Sequence, residues 1–116
     1  MKIRLKGNSI RFRLTQSEVS QLGQNGSLTE NTAFAGTALE YAIVVTDEEG
    51  ISVEHVNHRI TLYISRHMAV ELVETDKVGY SDSNGPVAVL IEKDFTCLDH
   101  VEEDQSDNYP NPRIKD

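Results

Sequence analysis

The sequence predicts an α+β fold, a largely antiparallel sheet with two short helices, on three observations. Apolar and polar residues alternate with period two through much of the chain. Two segments interrupt that alternation with helical spacing, each behind a hydroxyl residue suited to an N-cap. An offset of 50 residues superposes the elements of one half on those of the other.

Lys2, Arg4 and Lys6 alternate with Ile3 and Leu5, and Ile10, Phe12 and Leu14 alternate with Arg11 and Arg13. Gly7-Asn8 between them suits the left-handed positions of a two-residue turn, so residues 2–14 read as a hairpin. Thr15-Gln16-Ser17-Glu18 has the form of a capping box. Val19 and Leu22 share one face of the helix it starts, and Gly23 and Gly26 end that helix after about two turns. Residues 28–34 read as a polar strand, and residues 39–46 as a strand with Leu39, Tyr41, Ile43 and Val45 on one face. After the turn Asp47-Glu48-Glu49-Gly50, Ile51–Val56 and residues 59–64 form a second hairpin around Asn57-His58. Ser65 is placed to cap a helix over Arg66–Glu74 with Met68, Ala69, Leu72 and Val73 apolar. A strand over 78–81 follows, and Asn84-Gly85-Pro86 breaks the chain. The continuous apolar run 87–91 reads as a buried strand extending towards Cys97.

Beyond Leu98 acidic residues dominate, followed by Tyr109-Pro110-Asn111-Pro112, so residues 1–98 read as a single domain and 99–116 as an extended tail. With the 50-residue offset, Ile10, Phe12 and Leu14 fall on Ile60, Leu62 and Ile64, Thr15 on Ser65, and Leu22 on Leu72. Each half then reads strand, strand, helix, strand, strand, and two such halves would share one core around a pseudo-twofold axis.

A chain of 116 residues fits one domain with its own core. Its one cysteine, Cys97, can form no internal disulfide and supports no thiolate zinc site. The charged alternation at the N-terminus is unlike a signal peptide, and no apolar run approaches the roughly 20 residues that cross a bilayer. These features lead us to expect a cytoplasmic protein with no membrane partner.

The net charge of −8 disfavours nonspecific binding to nucleic acid or anionic membranes. Its distribution is uneven. Residues 1–13 hold five basic groups and no acidic ones, which leaves six basic and 19 acidic groups in the remainder. A two-residue turn at Gly7-Asn8 sets Arg4 opposite Arg11 and Lys2 opposite Arg13, with Lys6 beside Ser9. Like charges directly opposite oppose hairpin formation on the roughly 0.2–1 kcal/mol scale of cross-strand pairs. Two such pairs call for nearby anions. At the offset positions stand Ser52, Glu54, Val56, Thr61 and Tyr63, so the basic face belongs to the first half only.

Three readings of Lys2, Arg4, Lys6, Arg11 and Arg13 are open. The face is ordinary structure, neutralised by Asp99, Glu102, Glu103, Asp104 and Asp107 of the tail or by solvent. It is a site for a small polyanion or an acidic protein partner, where arginine supplies a bidentate fork. Or it binds nucleic acid, which the acidity of the chain and the lack of aromatic residues on that face disfavour. His55, His58, His67 and His100 show no metal-ligand spacing, and His55, sharing a face with Val53, reads as a partly buried structural histidine. The acidic tail with His100 could gather Mg²⁺ or Ca²⁺, but a solvated tail is the simpler reading. Cys97 reads as a small structural hydrophobe. We expect no metal, no cofactor and no catalytic residue.

Lys2-Ile3-Arg4, Gly7-Asn8-Ser9-Ile10-Arg11, Arg13-Leu14 and Ser17-Glu18-Val19 at one end resemble a family of small uncharacterised bacterial proteins, a domain of unknown function. So do Glu92-Lys93-Asp94-Phe95, Cys97-Leu98, Glu103-Asp104 and Pro110-Asn111-Pro112 at the other. The resemblance implies a bacterial, stand-alone protein and supplies no activity. Duplicated strand-strand-helix halves with a basic strand face are also similar to the triphosphate-tunnel phosphohydrolases, but the Glu-x-Glu-x-Lys strand of those enzymes is absent here. The leading expectation is a non-enzymatic binding protein that holds its anionic partner on the basic hairpin. The alternative is a metal-dependent phosphohydrolase using the same face with Glu40, Glu54 or Glu92.

Overall fold

The computed structural model describes residues 1–95, 106–107 and 109–110, and of Asn84 the backbone alone. Cys97, His100, Asp99, Glu102, Glu103, Asp104 and Asn111-Pro112 lie outside the described residues, so the expectations placed on them are not addressed. In chain order the elements are β1 (Lys2–Lys6), β2 (Ser9–Leu14), α1 (Gln16–Asn25), β3 (Ser27–Phe34), β4 (Thr37–Thr46), β5 (Ile51–Val56), β6 (Arg59–Ser65), α2 (Arg66–Glu74), β7 (Gly79–Asn84) and β8 (Val87–Lys93). The fold is α+β, with two helices among the described residues and largely antiparallel strand pairing.

The strands form two sheets, ordered β1-β2-β8-β7 and β3-β4-β6-β5. Each sheet takes the first hairpin of one half of the chain and the second hairpin of the other. The four hairpins are antiparallel, and the two joins, β2 with β8 and β4 with β6, are parallel. The first hairpin has the expected register, with Arg4 opposite Arg11 and Lys2 opposite Arg13. β5 and β6 repeat it, with Val53 opposite Leu62 as Ile3 is opposite Phe12. The joins differ. Ser9 lies beside Ala88, whereas Arg59 lies beside Glu40, two residues on from the position that the 50-residue offset gives. A slip of two keeps every side chain on its own face, so the core survives it.

Thr15 caps α1 with both capping-box bonds: its N–H donates to Glu18 Oε1 at 2.9 Å, and its hydroxyl accepts from the Glu18 N–H at 3.4 Å. The Met1 ammonium also reaches Glu18 and lies 3.3 Å from Glu30. α1 continues through Gly23 and ends at Gly26, whose φ of 75° lets its N–H reach the Leu22 carbonyl. Gly23 is therefore no terminator. A Cβ there would sit 2.7 Å from Val73 Cγ2, so the missing side chain lets α1 pack closely on α2. Ser65 occupies the N-cap of α2, but its side chain makes no capping bond and its hydroxyl faces His67 Nδ1 at 3.4 Å.

Both sheets contribute one face to a single core. Phe12, Leu14, Val89 and Ile91 from the first meet Ile43, Leu62 and Ile64 from the second, with Val19, Leu22, Ala69 and Leu72 from the helices. β2 and β6 run directly into α1 and α2, so the helices sit at one end of the strands. The four hairpin turns lie at the other end.

The run 87–91 is not buried on both faces. Val89 and Ile91 point inward and are buried, Ala88 is exposed and Leu90 half-buried, because no described element covers the outer face of this sheet. Asn84 belongs to β7, and Gly85-Pro86 is a tight turn with Gly85 at φ 64°. His55 is exposed rather than partly buried: its register points it inward, but it stands at the turn end of β5, where its neighbours Glu54 and Val56 are exposed too. Among the described residues, no helix is long and apolar enough to cross a membrane.

Candidate anion-binding face

The outer face of the first sheet reads across its strands as Lys2, Arg4 and Lys6 on β1, then Ser9, Arg11 and Arg13 on β2. Ala88, Leu90 and Glu92 follow on β8, then Gly79, Ser81 and Ser83 on β7. All five predicted basic residues share this face. The parallel join supplies a counter-charge that local sequence did not signal. Glu92 lies beside Arg13, with Oε1 at 2.9 Å from Arg13 Nε and 3.5 Å from Arg11 Nε. At the helix end Lys2 Nζ lies 3.0 Å from Oδ2 of the buried Asp94. The arginine side chains remain substantially exposed, so each of their pairs with Glu92 stabilises the fold by at most roughly 1 kcal/mol.

Among the described residues, these five cations thus meet two carboxylates. The pairs gather at the helix end, where Lys2 and Arg13 face each other. Among the described residues, no carboxylate pairs with Arg4 or Lys6. Arg4 lies across from an arginine, and Lys6 stands at the turn end beside Ser9.

Asp107 was expected among the acidic residues covering this face, and it lies elsewhere. The Ser17 hydroxyl donates to its Oδ2 at 2.5 Å, the Ser17 N–H lies 3.3 Å from its Oδ1, and the Gln16 N–H donates to its carbonyl at 3.1 Å. The free N–H groups and positive end of α1 attract it there. The hydrogen bond from Ser17 and then that from Thr15 hold its carboxyl below the ordinary value of 3.8. A depressed carboxylate stabilises the fold fully above its unfolded value and ceases to as pH falls through the lower folded value. Asp107→Asn is therefore expected to flatten the acid limb of a stability–pH profile below about pH 4. An unchanged limb would mean that this contact is absent in solution. Two residues on, the Tyr109 N–H donates to the Asp94 carbonyl at 2.8 Å, and its ring lies 4.9 Å from Lys93 Nζ. Burial lowers the pKa of Lys93, whose Nζ donates to the Thr75 carbonyl at 2.9 Å.

The three carboxylates of the alternative reading do not share a face. Glu92 belongs to the basic ladder, while Glu40 and Glu54 lie on the outer face of the other sheet. There Glu40 pairs with Arg59 at 3.1 Å. Glu54 accepts from the Tyr63 hydroxyl at 2.6 Å, a bond that raises the pKa of that tyrosine. These groups line an open groove of about 710 Å³ with Asn31 and His58, a feature that sequence reasoning missed because β4 and β5 meet only through β6. Among the described residues, no three His, Cys, Asp or Glu side chains gather as a metal site.

Comparison with known proteins agrees with the motif resemblance at both ends of the chain. Comparisons with curated proteins and with solved structures found no match. A family of unknown function, DUF7009, matches residues 1–113, and the chain belongs to that family.

Proposed function

We propose that the protein is a non-enzymatic binding protein that holds a small polyanion, or the acidic surface of a protein partner, on the outer face of the first hairpin. The observation carrying this reading is the unequal neutralisation of the ladder. Glu92 and Asp94 serve Arg11, Arg13 and Lys2, while Arg4 and Lys6 at the turn end have no described counter-ion. Like charges held opposite one another cost stability that a bound anion returns. A fork of guanidinium groups suits phosphate or carboxylate oxygens, and the exposed setting makes binding fall with salt. The single Cys97 supports a cytoplasmic setting, and the motif resemblance supports a bacterial source. The offset of 50 residues supports descent from a repeated strand-strand-helix-strand-strand unit.

Thermal unfolding of the full chain with millimolar phosphate, pyrophosphate and triphosphate tests the reading. Triphosphate should raise the midpoint most, approaching roughly 2.7 kcal/mol of added stability when it is present at about 100 times its Kd. Arg4→Ser with Lys6→Ser should abolish the gain and leave the unliganded protein as stable or slightly more stable. Glu92→Gln should strengthen triphosphate binding while lowering stability. Equal gains in the unmodified and doubly substituted chains would remove the face from consideration.

A further inference from the structure

The outer face of the second sheet holds a buried hydroxyl without a partner. Thr61 is 5 % exposed, and among the described residues its side chain makes no hydrogen bond. Strand register explains its setting. Ala42 on β4 and Glu54 on β5 stand on either side of it, in one row across the sheet. The row on one side is Val44, Tyr63 and Ser52, and the row on the other is Glu40, Arg59 and Val56. Two small residues between taller rows dish the face. Thr61 thereby lines the open groove of about 710 Å³, a volume in the range of small-molecule sites. Burying an unpaired hydroxyl costs stability, and valine would fill the same space without that cost.

The charges in this groove are unequally matched. Arg59 is engaged by Glu40 at 3.1 Å. Glu54 accepts from the Tyr63 hydroxyl at 2.6 Å, and among the described residues no cation pairs with it. Because the Tyr63 proton points to Glu54, the neighbouring oxygens of Tyr63, Thr61 and Glu54 can all act as acceptors. A primary ammonium has three N–H donors and no acceptor, which matches that set. Val44 and Val56 in the flanking rows offer apolar surface to a carbon stem. The 50-residue offset sets Glu54, Thr61 and Tyr63 on Arg4, Arg11 and Arg13, so equivalent positions of the two sheets have opposite polarity.

We infer that this groove binds a small primary amine in its ammonium form, with its N–H groups on Glu54, Thr61 and Tyr63 and its stem against Val44 and Val56. An anion would meet the Glu54 carboxylate. A neutral apolar molecule would leave both that carboxylate and the Thr61 hydroxyl unpaired. The site is separate from the basic face and does not depend on it.

Calorimetric titration of the full chain with millimolar pentylamine near neutral pH provides the test. Pentanol and pentyltrimethylammonium should each bind at least roughly tenfold more weakly, since one lacks the charge and the other the N–H donors. Glu54→Gln keeps an oxygen for Tyr63 and should weaken pentylamine roughly tenfold. Thr61→Val should weaken it roughly fivefold, yet leave the unliganded protein as stable or more stable in thermal unfolding. A threonine with a purely structural role would not give that combination. No binding of pentylamine, pentanol binding as tightly, or unchanged affinity in Glu54→Gln would each overturn the proposal. So would a Thr61→Val protein that loses stability and keeps its affinity. Tighter binding of Nα-acetyl-lysine methylamide than of pentylamine would assign the groove to a lysine of a protein and overturn the free amine as its occupant.

Discussion

Phe12→Ala is expected to lower unfolding stability by roughly 3–5 kcal/mol, with the thermal midpoint falling by roughly 15 °C or more. Phe12 has no exposed surface, and its strand β2 is held on both sides, by β1 and by β8. The space left by its ring cannot be closed by moving a free edge, so lost transfer energy and an unfilled cavity add together. Domains of ordinary stability have only about 5–15 kcal/mol in total, so this one change removes a large share. Leu5→Ala, one strand over and exposed, supplies the contrast and should change stability by well under 1 kcal/mol. Denaturant titration of both variants measures the difference. A loss below about 1.5 kcal/mol for Phe12→Ala would show that the two sheets can close over the gap.

Gly79→Ala is the second large effect, with an expected loss of about 3 kcal/mol. Gly79 opens β7 directly opposite Glu92 on β8. A Cβ there would collide with the Ile91 carbonyl oxygen and would sit 2.8 Å from the Glu92 Cα. Backbone cannot swing aside as a side-chain tip can. Gly23 in α1 makes the comparison, because its obstacle is the end of the half-exposed Val73 side chain, and alanine there should be tolerated far better. The strand shift forced by Gly79→Ala also carries Glu92, so the ion pairs with Arg11 and Arg13 should weaken together with the fold. Thermal unfolding combined with triphosphate titration separates the two effects. Full stability in Gly79→Ala would mean that β7 is not seated on β8 as described.

What the sequence made legible was local. The Gly7-Asn8 turn and the alternation around it specified the register of the basic ladder residue by residue. Thr15 and Glu18 specified the capping box, and the helical spacing from Met68 to Val73 specified α2. Turn geometry and period are short-range physics, and they survive in the fold. What could not be read were features made by distant partners. Glu92 neutralises Arg11 and Arg13 only because β8 joins β2 in parallel, and no local rule announces that join. His55 and Leu5 follow the inward alternation correctly, but the openness of the turn end depends on how far each hairpin extends over its neighbour. Asp107, counted with the acidic tail, found the unsatisfied donors of α1 instead of the cations of β1 and β2. Gly23 looked like a helix end in the sequence, and is a contact surface for Val73.

The exchange of hairpins between the two sheets also governs the order of events as the chain is made. Ser9 pairs with Ala88, so the first sheet cannot be completed until 79 further residues have followed Ser9. A nascent chain that has reached Thr46 holds two hairpins and one helix, each apolar on one side, and the middle strand of neither sheet has yet met its parallel neighbour. Isolated hairpins are marginal in water, so little of that segment can persist alone. Pairing across such separations closes long loops before it gains contacts, which slows folding and makes it nearly all-or-none. The second sheet has all four of its strands once Ser65 has been made, whereas the first waits for β8, the last of the described strands.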